Sequence, residues 1–167
     1  MANINIEVAT PDDIKDLQNL TKLLVEGLGQ EFIPKRFDWG IRRRLFDPLQ
    51  RHGILIARDE ESQEPVGMII AELRIDPYGA SEGYIKQVFL KKPYRGQGLG
   101  RSLVQSAIDH LKKINVEKVK VNVKEKAEQA MSLYSNMNFR KVYEVLELEL
   151  TENGSQEREK IEKKQKL

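Results

Sequence analysis

Apolar and polar residues alternate strictly along Ile4-Asn5-Ile6-Glu7-Val8, the period of a half-buried strand. The spacing then changes. Thr10 suits a helix N-cap, Pro11 the first helical position and Asp13 the acidic place in the first turn. Leu17, Leu20, Leu23, Leu24 and Leu28 recur at helical intervals, so an amphipathic helix is predicted over 11–28. An irregular, aromatic and proline-punctuated segment follows, and then a second helix is expected over 39–49. The β-type runs 53–58 and 65–73 enclose the polar stretch 59–64 and predict an antiparallel hairpin. Beyond a loop over 74–83, the pattern predicts a strand over 84–90, a helix over 98–113, a strand over 116–123, a short helix over 127–137 and a final strand over 140–150. The crossover helix between the strands at 84–90 and 118–123 makes that pair parallel, so the sheet is mixed.

One junction in this pattern carries chemistry. The apolar strand over 84–90 runs through Arg95-Gly96-Gln97-Gly98-Leu99-Gly100-Arg101 directly into an amphipathic helix. Residues without a Cβ let the backbone take positive φ and approach a ligand, and the first helical turn has N–H groups without intrahelical partners. With the helix dipole and the flanking Arg95 and Arg101, the expected guest is a phosphate or pyrophosphate. A Walker P-loop would need a lysine after the last glycine, where Gly100-Arg101-Ser102 has none. A dinucleotide fingerprint would need an early βαβ unit and more parallel strands. Tight helix packing alone would account for one or two of these glycines.

Composition narrows the picture. A chain of 167 residues, 40% apolar, fits a single domain over 1–150, followed by a charged tail over 151–167 that is expected to be flexible. No apolar run approaches the roughly 20 residues that span a bilayer, and the first residues do not resemble a signal peptide, so no membrane partner and a cytoplasmic location are expected. Cysteine is absent, which removes disulfides and thiol nucleophiles. The two histidines, His52 and His110, lie far from the junction, and no metal is expected. The net charge of +2 equals the excess over 154–167 alone, five Lys and Arg against three Glu, which argues against nucleic acid. Arg42-Arg43-Arg44 reads as a solvated helix face or as a contact for a phosphate or an acidic substrate.

Two segments resemble the GNAT superfamily of acyl-CoA-dependent N-acetyltransferases. Residues 95–100 match its Q/R-x-x-G-x-G/A signature, and Ala130-Met131-Ser132-Leu133-Tyr134-Ser135-Asn136-Met137-Asn138-Phe139 is similar to its A-x-x-L-Y-x-x-x-G-F segment. The resemblance implies an α+β, three-layer fold: a mixed, mostly antiparallel central sheet flanked by helices and splayed between the strands at 84–90 and 118–123. It implies acetyl-CoA as co-substrate and a primary amine, on a small molecule or a peptide, as acceptor. The backbone of Gly96, Gln97, Gly98, Leu99, Gly100 and Arg101, with the charge of Arg95, would hold the coenzyme diphosphate. The backbone of Val88, Phe89 and Leu90 would pair with the pantetheine arm, and Val88 N–H would stabilise the oxyanion.

Tyr134 occupies the family's place for the acid that protonates the leaving thiolate; judged by residue type alone, it is a core tyrosine. Glu82 is the candidate general base and Glu72 the alternative, although both also read as solvated carboxylates. The chain departs from the family pattern at Ala127, where an asparagine is usual, at Asn138, where glycine is usual, and at Asn122, which cannot act as a base. Asn138 can still adopt the left-handed conformation. A catalytically weak acyl-CoA sensor or partner-binding module is the second reading. The acceptor is expected between the first two helices and the 74–83 loop, near Phe32, Phe37, Trp39 and Tyr78, with Glu31, Asp38 or Asp76 attracting a cation; those aromatics could equally close the core. Dimerisation through the final strand edge is compatible with the pattern.

Overall fold

A computed structural model describes residues 2–150; the charged tail over 151–167 lies outside them. The chain divides into two compact units, one ending at Ala127 and one beginning at Glu128.

The first unit holds a five-stranded sheet in the order β1 (Ile4–Val8), β2 (Ile54–Asp59), β3 (Pro65–Ile75), β4 (Ser81–Leu90) and β5 (Lys118–Val121). All neighbours are antiparallel except β4 and β5, which are parallel as the crossover helix requires. The helices are α1 (Ile14–Gly27), α2 (Pro34–Phe46) and α3 (Leu99–Lys113). A short 3-10 turn, Pro11–Asp13, leads into α1, and the Asp13 carboxylate accepts from Thr10 N–H at 2.8 Å. Two of these helices close on a residue in the left-handed conformation. α1 ends at Gly29 (φ 71°), with Gln30 N–H donating to Val25 carbonyl; α3 ends at Asn115 (φ 62°), with Val116 N–H donating to Leu111 carbonyl.

Leu17 and Leu20 of α1 and Ile41 and Leu45 of α2 pack on Ile54, Ile56, Met68, Ile70 and Phe89, covering one face of the sheet. Burial of each large side chain contributes about 1.5–3 kcal/mol. α3 covers the other face: a Cβ at Gly67 would meet Leu103, and one at Gly83 would meet Leu111. Gly83 and Phe89 are an even number of residues apart, yet they face opposite sides of the sheet. The register explains this. Ile70 is opposite Gln87 and Ala71 is opposite Ile85, so Lys86 is an extra residue, a β-bulge that inverts the alternation beyond it.

Several boundaries differ from the sequence reading. α2 begins at Pro34 rather than at residue 39, because proline at the first helical position starts a helix as readily as it ends one. The expected 74–83 loop shrinks to a turn over 76–80, since β3 and β4 extend into each other's polar and glycine-containing ends. The expected strand over 140–150 is not formed: these described residues pair with no strand, and Leu146, Leu148 and Leu150 are exposed. Alternation permits a strand, but only pairing makes one. Among the described residues, no helix is long and apolar enough to cross a membrane.

The second unit contains α4 (Glu128–Asn136). It closes through Asn138 at φ 65°, with Phe139 N–H donating to the Tyr134 carbonyl at 2.9 Å and Asn138 N–H to that of Ser135 at 3.1 Å. The asparagine thus takes the left-handed place that glycine would fill.

Candidate functional site

β4 pairs with β5 only from Glu82 opposite Lys118 to Ile85 opposite Val121. From the bulge at Lys86 onward it keeps β3 alone, and the splay expected from the resemblance begins there. The direction of the free groups follows from the ladder. Lys91 N–H donates to the Val66 carbonyl at 2.9 Å, beside the Leu90 and Gly67 pair. Antiparallel alternation therefore turns the backbone groups of Phe89 toward Met68, and those of Val88 and Leu90 to the open edge. Of the three expected pairing residues, Val88 and Leu90 present backbone groups outward, whereas Phe89 contributes its buried ring to the core.

The strand leads through a 3-10 turn, Lys92–Tyr94, into the glycine turn. Arg95 folds back over it: Nε donates to the Leu90 carbonyl at 2.8 Å, and the guanidinium lies 5.6 Å from the Phe89 ring centre. Gln97 Nε2 donates to the Pro93 carbonyl at 3.1 Å, a second brace. Gly96 and Gly98 have φ of 75° and 81°, and a Cβ at either would meet nothing within 4 Å. Glycine is needed here for backbone conformation rather than packing, and the space above the turn is open. Gly100, by contrast, lies within α3.

Gly98 is the N-cap, and the first intrahelical bond is Ser102 N–H to the Gly98 carbonyl at 3.1 Å. The N–H groups of Leu99, Gly100 and Arg101 precede it and have no intrahelical acceptor, and no side chain caps the helix. Several donors and a helix dipole thus converge on solvent beside the open edge of β4, an arrangement that binds an anion.

Tyr134 belongs to the second unit. It is 8% exposed, and its ring packs edge-on against Phe139 with centres 5.2 Å apart, the apolar contact that accompanies this kind of helix end. Burial raises the phenol pKa above its ordinary value of 10.0.

Glu82 lies in the closed half of β4, 7% exposed, and accepts from Lys120 Nζ at 2.6 Å. Glu72 on β3 accepts from Arg74 at 3.2 Å, with Lys86 Nζ at 3.7 Å. Burial pushes the Glu72 carboxyl up, but Arg74, Arg44 and Lys86 more than reverse this and hold it below the usual carboxylate range, which makes it a weaker base.

Of the residues expected to line an acceptor cleft, Asp38 and Trp39 line one cavity with Gln18 of α1, and Phe32 and Phe37 are in ring contact. Phe37 packs against the core beside Phe32, whereas Trp39 and Tyr78 are exposed. Asp38 is paired with Arg42, and Asp76 accepts from Tyr78 and Ala80 N–H, shaping its own turn. Sequence reasoning missed Arg74 and Lys86. The signal was there in part: Lys86-Gln87 places two polar residues in succession inside a strand whose neighbours are apolar.

Residues 14–139 match the Acetyltransferase (GNAT) family. Over 74 residues the chain is 28% identical to N-alpha-acetyltransferase 30 of Schizosaccharomyces pombe, covering 44% of this chain and 49% of that protein. Over 77 residues it is 29% identical to the protein of the same name from Saccharomyces cerevisiae, covering 45% and 43%. The matched region thus spans about half the length of these relatives. The fold resembles that of an aminoglycoside acetyltransferase from an uncultured soil metagenomic sample (TM-score 0.73, 17% identity, 89% of this chain and 95% of the other). It also resembles a Clostridium acetobutylicum protein described as a "predicted acetyltransferase with acetyl-CoA" (TM-score 0.74, 20% identity, 89% and 97%). The open half of β4, the uncapped start of α3 and the extent of the family match lead to one conclusion: this chain belongs to the GNAT acetyltransferase family.

Proposed function

We propose that the protein transfers an acetyl group from acetyl-CoA to a primary amine by direct attack. The observation that carries this reading is the open edge of β4 running into the uncapped start of α3. In this reading the N–H groups at the start of α3, with Arg101 and the turn braced by Arg95 and Gln97, hold the coenzyme diphosphate. Val88 and Leu90 offer backbone groups to the amides of the pantetheine arm along the exposed edge. From Leu90 back to Lys86 that edge runs for about 13 Å at strand rise, which guides the thioester toward the bulge.

As the amine nitrogen bonds to the thioester carbon, Val88 N–H donates to the carbonyl oxygen, which takes up the negative charge. The C–S bond then breaks, and Tyr134 gives its phenolic proton to the departing thiolate. Burial supports that role by keeping the phenol protonated through neutral pH. Glu82, directly or through water, takes the proton lost by the amine. The N-alpha-acetyltransferase relatives support a peptide amine as one acceptor class and the aminoglycoside acetyltransferase fold a small-molecule amine as another.

Release of CoA thiol from acetyl-CoA with a panel of amines tests the reading. Turnover is expected, with Tyr134→Phe lowering kcat by about 10²–10³ and leaving acetyl-CoA binding intact. Glu82→Gln is expected to lower kcat while leaving acetyl-CoA binding intact. Tight CoA binding without turnover on any amine would favour the sensor reading instead.

A further inference from the structure

The α1 and α2 face of the sheet changes character at the bulge. Up to Ile70 it is apolar, and beyond that it carries Glu72, Arg74, Tyr84 and Lys86. Arg74 and Lys86 both stack on Tyr84, at 4.2 Å and 5.7 Å from the ring centre, and both reach the Glu72 carboxylate. Arg44 of α2 adds its field to the same carboxylate. Farther along, Glu82 is balanced by Lys120. Among the described residues, the Glu72 carboxylate therefore stands among three cations, Arg44, Arg74 and Lys86. Lys86 is the bulge residue, exposed, and its contact with Glu72 is long. It retains capacity for a second anion.

Resting on the acetyltransferase reading, we propose that the acceptor amine carries a carboxylate a few bonds from its nitrogen, and that Arg74 and Lys86 hold that carboxylate at the bulge. The place suits the chemistry. The bulge is where the strand edge delivers the thioester, so an acceptor anchored there has its amine beside the reacting carbon. The same cations disfavour an ammonium brought near them, and so promote the neutral amine that attacks. A polycationic acceptor would meet repulsion. A free acidic amino acid and the N-terminus of an acidic peptide share the required chemistry.

The full chain, supplied with acetyl-CoA, is assayed on matched acceptors: peptides beginning Asp or Asn but otherwise identical, free aspartate against its diamide, and spermidine. The carboxylate member of a pair is expected to have about tenfold higher kcat/KM, the scale of one charge-assisted hydrogen bond. Which pair shows the difference identifies peptide or amino acid. Arg74→Gln and Lys86→Gln each lower kcat/KM for the carboxylate member about tenfold and that for the amide far less, while Lys86→Arg retains the preference. Preference for the amide or for spermidine overturns the proposal, as does a ratio unchanged in both glutamine variants or acetyl-CoA binding without turnover on any pair. A protein that fails to bind acetyl-CoA overturns the acetyltransferase reading and this inference with it; one that acetylates without regard to charge overturns this inference alone.

Discussion

Residues 82–85 of β4 are held on both edges, by β3 and by β5, whereas from Gln87 to Leu90 the strand keeps β3 alone and turns its other edge outward. The closed half places Glu82 and Ile85 in buried positions; the open half leads to glycines with positive φ and a helix start that no side chain caps. One inserted residue, Lys86, separates the two. A regular strand would have its backbone satisfied by a second neighbour, β5, along its full length, and nothing would remain for a ligand to pair with. The bulge ends one kind of pairing and re-aims the side chains, so the ring of Phe89 still reaches the core while Val88 turns its backbone groups, and Leu90 its N–H, to the open edge, the Leu90 carbonyl accepting from Arg95.

Removing the bulge should break this contrast most severely. Deletion of Lys86 restores regular alternation and drives Phe89 toward the wrong face, with an expected loss of about 3–5 kcal/mol in urea unfolding, the cost of losing a large buried side chain. Lys86→Ala keeps the extra residue and should cost less than about 1 kcal/mol. Equal effects would show that the insertion does not set the faces.

Proline sharpens the comparison within the open half. Phe89→Pro removes a ladder donor and a core ring and should destabilise by roughly 3 kcal/mol or more. Val88→Pro removes a donor only from the free edge, so the protein should fold while kcat falls about 10²–10³, as for loss of an oxyanion donor. If Val88→Pro unfolds the protein as Phe89→Pro does, the edges have been assigned the wrong way round.

At the glycine turn, Gly98→Val forces a branched side chain into a left-handed conformation and misdirects the helix donors. Losing two charge-assisted hydrogen bonds should weaken acetyl-CoA binding about a hundredfold in calorimetry. The smallest effect is at Tyr134. Its folded pKa is raised, so the folded protein keeps this proton where the unfolded chain gives it up. Stability should therefore be complete below the ordinary value of 10.0 and fall as pH rises toward the folded value. Tyr134→Phe should lack that loss in thermal melts above pH 10, which are compared with the unmodified protein.

The sequence made some of this plain. The period of Ile4, Ile6 and Val8, the leucine spacing of α1 and α3, and the hairpin turn at 59–64 all produced the elements expected of them. Those elements depend on local pattern. The ends of β3 and β4 did not show, because Arg74, Ile75 and Ser81 become strand only through the neighbours they meet. Residues 140–150 failed in the opposite sense, an alternating run that forms no strand among the described residues. At the site, the glycine turn at the start of α3 was legible, whereas the fold-back of Arg95 onto the Leu90 carbonyl was not. The edge assignment of Val88 against Phe89 was not, since it depends on ladder phase, and neither was the shared hold of Arg74 and Lys86 on Glu72, since it depends on register across a bulge.

The central claim is that the open half of β4 and the start of α3 form one acetyl-CoA site. Amide NMR of the labelled protein during titration with acetyl-CoA tests it most directly. The amides of Val88, Leu90, Gly98, Leu99, Gly100 and Arg101 should shift strongly, with Phe89 and residues 81–85 shifting far less. Shifts centred elsewhere, or none at saturating acetyl-CoA, would contradict the account.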